Sequence, residues 1–245
     1  MGIEAETSRS EGDGSVNFGD HDFNRTSGRV QLVGPHSQTD LFAGYQEKFF
    51  GWFGMYTGRA FLAFDPFETE NLKTRLFLIN HQQRYGDANW FEATAYYRRH
   101  SDHYIFNRFA PNDNFIHETD VTSLGWSGQH ALDQNVSLTY AGQLTADSID
   151  SSNLEENFTS RSYFKFSLLP QYRVRLNSQD TLTLRAGASF YDTNRNSSET
   201  SAIAAMVWER AESDGNYKKI HLAYAESSQV TGYTASGGPT GGLFA

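Results

Sequence analysis

His100 and His103 stand three positions apart, the spacing of a metal pair on a helix, but in a strand that offset puts the two rings on opposite faces. A zinc site is therefore not expected. Asp147, Asp150, Glu155 and Glu156 gather near one polar stretch, and oxygen ligands at that density could hold calcium. The spacing of an EF-hand is absent, so a solvated acidic loop is the simpler expectation. Ser, His and Asp are plentiful, yet no Gly-x-Ser-x-Gly elbow, phosphate loop or HExxH helix occurs. Neither catalysis nor a cofactor is expected. Two sets of side chains remain as candidates for binding. Trp52, Phe53, Met55 and Tyr56 lie too far into a loop for an interfacial position and could instead contact a ligand. Lys73, Arg75, Arg98, Lys165, Arg173, Arg175 and Arg185 are read on the polar sides of strands, where in a barrel they would face the lumen. There they could draw in an anion, or simply pair with carboxylates such as Glu92 and Asp147 or with a plug.

The elements that position these residues show in two-residue alternation. In Thr181–Phe190 one side is Leu182, Leu184, Ala186, Ala188 and Phe190, and the other is Thr181, Thr183, Arg185, Gly187 and Ser189. Phe164, Phe166, Leu168, Tyr172, Val174 and Leu176 repeat the pattern, as do Val136, Leu138, Tyr140, Leu144 and Ala146, and Phe91, Ala93, Ala95 and Tyr97. Runs this long exceed the roughly 5–6 residues of ordinary strands. Phe, Tyr and Trp make up 15% of the chain while Pro numbers only 5, a balance that suits sheets. Without cysteine there is no disulfide framework. The net charge of −9, with scattered Lys and Arg, argues against a nucleic-acid partner. A mean hydropathy of −0.59 excludes spanning helices but not spanning strands, of which only every second residue meets lipid.

Connections alternate in length. Short turns fall at Gly34–Ser37, Gly86–Asn89, Leu132–Asn135, Asn177–Asp180 and Ser213–Asn216, and longer loops at 10–22, 50–70, 102–116, 150–160 and 193–200. That is the up-and-down pattern of an outer-membrane barrel, with short turns in the periplasm and long loops outside. About eleven strands fit, from near Gly2 to near Gln229. The expected fold is all-β, the antiparallel wall of a transmembrane barrel. Because single-chain bacterial barrels have even counts, residues 1–245 are expected to form one partial barrel domain, truncated at both ends. Aromatics where strands meet long loops, such as Phe49, Phe50, Tyr104, Phe106, Phe190 and Tyr191, read as an interfacial girdle.

Several strings resemble barrel segments of TonB-dependent outer-membrane receptors: Val16–Phe23, Ser37–Gln46, Phe91–His100, Ala146–Ser151, Leu184–Ala188 and Gln229–Ala235, followed by Gly241–Phe244. The resemblance implies a 22-stranded barrel in the outer membrane of a Gram-negative bacterium, importing a scarce nutrient such as a ferric siderophore or cobalamin. It also implies a plug domain and a TonB complex as partner, with the TonB box, plug and C-terminal strands outside this chain. The alternatives at this stage are a passive porin and a soluble carbohydrate-binding β-sandwich.

Overall fold

The computed structural model describes residues 1–52, 67–112, 114–152, 154, 159–212 and 215–226. Eleven strands follow one another: β1 (Gly2–Gly12), β2 (His21–Val33), β3 (Ser37–Gly51), β4 (Thr69–Arg84), β5 (Trp90–Ile105), β6 (Asn114–Ala131), β7 (Val136–Ser151), β8 (Ser160–Arg175), β9 (Asp180–Thr193), β10 (Glu199–Ala211) and β11 (Tyr217–Ala225). They form one sheet in sequence order, each strand antiparallel to the next. A single sheet rules out the β-sandwich alternative.

Local chemistry fixes the turns, and short turns leave consecutive strands no choice but to pair. Asp133 Oδ1 accepts the backbone N–H of Asn135 at 2.6 Å and of Val136 at 2.7 Å. Asn177 repeats the device with Gln179 and Asp180 at 2.9 and 2.8 Å. Gly86 and Gly215 supply the positive φ angles of 78° and 85° that their turns require.

Register then assigns faces, because directly paired residues share a side. Val30 pairs with Leu41, Leu41 with Ile79, Ile79 with Ala95, Ala95 with Leu124, and Leu124 with Leu144. Further along, Leu184 pairs with Met206, and Met206 with Leu222. One face is thus apolar from edge to edge. Leu138, Tyr140, Phe164, Phe166, Leu168, Leu182, Leu184 and Ala186 all lie on it. The opposite face carries Arg29, Tyr96, Ser123, Thr145, Tyr163 and Thr193 along a second paired row, and Asp40 in the row beside it, paired with Gln31 and Asn80. Between β8 and β9 the ladder lapses from Leu168–Ala188 to Gln171–Arg185, where Pro170 has no N–H to donate. Among the described residues no ladder joins β1 to β11.

Candidate functional site

Burial runs opposite to that of a water-soluble domain. Only Val121, Tyr191 and Val207 are buried apolar residues among those described, against eleven buried polar ones. Phe77 and Ile79 are 55% and 51% exposed, whereas Asp40 and Asp147 are 8% exposed. Exposed apolar surface of this extent has to meet something other than water. On β7 the apolar rows run from Leu138 to Ala146, and on β9 from Leu182 to Phe190. Nine residues at about 3.3 Å each, tilted by about 40°, give a belt roughly 23 Å tall, close to the roughly 25 Å of outer-membrane barrels. The location expected from the sequence, the outer membrane of a Gram-negative bacterium, stands on this surface.

Aromatic rings fill the belt. Trp126 lies over Gly142, where a Cβ would fall 2.2 Å from its Cζ2, and its ring centroid is 6.4 Å from that of Phe164. Phe164 in turn meets Phe190 at 6.2 Å. Tyr191, which the sequence groups with the girdle, is instead buried on the polar face with Lys165 Nζ 5.1 Å from its ring centroid.

The polar face is held by ion pairs. Arg29 donates to Asp40 Oδ1 through Nε at 2.9 Å, and Gln31 and Gln38 complete the carboxylate's shell at 3.1 and 2.7 Å. Arg161 grips Asp147 with two bonds of 3.0 and 2.8 Å. Ser123 and Thr145 hydroxyls meet at 2.8 Å. Of the cations read as lumenal, Arg98, Lys165, Arg173, Arg175 and Arg185 lie on this face, with Arg185 donating to Gln171 Oε1 at 2.7 Å. Arg75 and Lys73 do not. Arg75 pairs with Tyr45 and Arg99 on the apolar side, one row above Phe77, and Lys73 pairs with Glu47 and Ser101 on the same side one row higher. Leu76, Phe77, Leu78 and Ile79 are apolar on both sides of the strand, so alternation could not decide where Arg75 pointed. Above the belt an outward charge meets water and headgroups, so nothing forces it inward.

At the long-loop rim Arg108 joins three connections. Its Nη2 donates to Asp20 at 2.8 Å, and its guanidinium lies 5.7 Å from the ring centroids of both Phe18 and Phe49. Phe18, Phe67 and Phe109 meet edge to face at 4.6 to 5.5 Å. Beneath them Glu68 is 1% exposed and accepts the Tyr104 hydroxyl at 2.8 Å. Glu70 and Asp102 share a hydrogen bond, and burial, then the Asp102 charge, push the Glu70 carboxyl up to about 7. Nothing local in the sequence announces this cluster, since Asp20 and Arg108 are 88 positions apart.

Trp52 meets Phe50 with centroids 4.7 Å apart and ring planes tilted by 36°, while Phe53, Met55 and Tyr56 lie outside the described residues. His100 reaches Thr74 at 2.8 Å on the polar face, and His103 sits on the other, opposite Asn71. Asp147 faces Arg161, Asp150 pairs with Glu118 on the outward side, and Glu155 and Glu156 are not among the described residues.

No protein-family model matches the chain, and no curated protein matches it. Among solved structures it is similar to the translocator domain of autotransporter NalP from Neisseria meningitidis, at 9% identity and TM-score 0.34, covering 92% of this chain and 80% of that one. It is also similar to the beta domain of the Bordetella autotransporter Brka, at 8% identity and TM-score 0.36, covering 91% and 90%. Likeness at this level concerns fold alone. The resemblance to TonB-dependent receptors is corrected by these findings: no family model matches the chain, and the solved structures it is similar to are autotransporter domains. The 22-stranded parent, the plug and TonB complex as partners, and import of ferric siderophore or cobalamin fall with it. The porin alternative gains nothing from the same findings.

Proposed function

We propose that residues 1–245 act as one unit, a membrane-spanning wall that keeps a charged, hydrogen-bonded face turned to a polar interior. The role is scaffolding of a membrane passage or cavity, with no catalytic step. One observation carries the reading: the exposed large side chains are apolar and the buried ones polar, along strands whose register keeps the two sets apart.

Single cysteines at neighbouring positions of β9 test it. In outer membranes, Leu184→Cys is expected to react with a lipid-soluble maleimide and to resist a membrane-impermeant one. Arg185→Cys is expected to show the reverse once the periplasmic side is opened. Equal reactivity at both positions would remove the assignment of faces.

A further inference from the structure

We propose that the outward face holds a binding site for a phosphorylated lipid of the outer leaflet, with acyl chains along β1 to β6 and the phosphate on Arg75. The inference rests on the membrane-wall reading above. A recess of about 910 Å³ crosses the six strands, walled by outward side chains such as Ile3, Val30, Leu41, Phe77 and Leu124, and its surface is almost wholly apolar. It lies within the belt, where acyl chains are the available occupant.

The row next above the recess pairs Tyr45, Arg75, Arg99 and Asp120 across four strands. Two residues along a strand are about 7 Å, so this row begins where chains give way to headgroups. The long loops rise from this rim, which puts it at the outer leaflet.

Charge at this height is sorted. Carboxylates occupy the flanks and are committed: Glu47 on β3 to Lys73 at 3.0 Å, and Asp120 and Glu118 on β6 to Arg99 at 2.8 and 3.5 Å. Tyr45 also donates to Glu47 and Tyr97 to Asp120. Arg75, in the centre, is exposed, opposes the like charge of Arg99, and has no ion pair among the described residues. Asp120 and Glu118 take up the charge of Arg99, so the cation left for a phosphate at this height is Arg75, whose planar guanidinium fork suits phosphate oxygens.

The full chain, extracted from outer membranes in mild detergent, is exchanged against lipid A bearing its phosphates, against dephosphorylated lipid A, and against inorganic phosphate. Native mass spectrometry reads retention. Wild type is expected to keep the phosphorylated lipid about tenfold better than the dephosphorylated one, and inorganic phosphate alone is expected not to be retained. Arg75→Gln should lose that preference and Arg75→Lys keep most of it. Ala43→Leu, which fills the recess and leaves Arg75 in place, should weaken both lipids. Equal retention of the two lipids by wild type, an unchanged preference in Arg75→Gln, or retention of inorganic phosphate alone would each overturn the proposal. Failure of the membrane reading would show separately, as loss of the Leu184→Cys and Arg185→Cys alternation.

Discussion

At the scale of single residues, two sites set exacting conditions that a substitution exposes. Gly142 is small because Trp126 lies where its side chain would be. Gly142→Val should drive the indole off the strand, costing about 1–3 kcal/mol of the kind seen in overpacked cores. Trp126 emission should shift red as the ring meets headgroups and water; unchanged emission and unfolding midpoint would show that the ring has other room. Glu70 sets a condition on pH. It stands seven residues along β4 from Phe77, so it lies above the belt, and its carboxyl titrates near 7 against a usual value of 4.5. A carboxyl raised in the folded state favours folding while protonated. The contribution is therefore full below about 4.5 and is lost as pH rises through about 7. Thermal unfolding of wild type should drop from pH 5 to pH 8, and Glu70→Gln should flatten the slope. An unchanged slope in the variant would place the titration elsewhere.

Whole strands were legible because alternation with period two is written into every long run, and turn residues such as Gly86, Asp133 and Asn177 mark where runs reverse. Face assignment was legible wherever alternation was clean, as on β9, and failed at Arg75, where a doubly apolar stretch erased it. Receptor identity was misread for a related reason: alternating strands and polar loops are what any outer-membrane barrel requires, so such strings do not separate one family from another. The rim cluster around Arg108 was invisible because it assembles from distant loops. One element departs from its neighbours in a way the sequence does hint at. Pro170 sits where the β8–β9 ladder lapses, and at Gly187, one position along β9 from the residue facing it, a Cβ would fall 2.0 Å from the Leu168 carbonyl oxygen. Amides of Ala186 and Gly187 should exchange with solvent faster than those of Leu182 or Phe190 on the same strand. Uniform protection along β9 would show that the gap is bridged. Gly187→Ala should push the strands apart and widen the fast-exchanging zone.

Among the described residues the sheet presents two unpaired edges. β1 and β11 both run from the short-turn rim to the long-loop rim, because ten antiparallel reversals separate them. Direct pairing of the two would make a parallel seam in an otherwise antiparallel wall. A second copy inserted the same way up would only create two such seams. An antiparallel seam on either side calls for a strand running the other way. Left open at membrane depth, each unpaired backbone group costs several kcal/mol, since hydrocarbon offers no hydrogen-bond partner. The exposed edge of β1 places Glu4 and Glu6 on the polar side, and that of β11 places Lys219 and His221 there. Residues 1–245 refolded alone in detergent should therefore associate through these edges rather than run as a compact monomer. Unheated gels and size-exclusion chromatography read the outcome. A cysteine pair at Glu4→Cys and Arg29→Cys, directly opposed across β1 and β2, serves as the control for a native edge. With that pair cross-linking, Glu4→Cys with His221→Cys should give no intrachain link by a short reagent. A heat-modifiable monomer in which Glu4→Cys and His221→Cys do link would show that the wall closes on itself through a parallel seam.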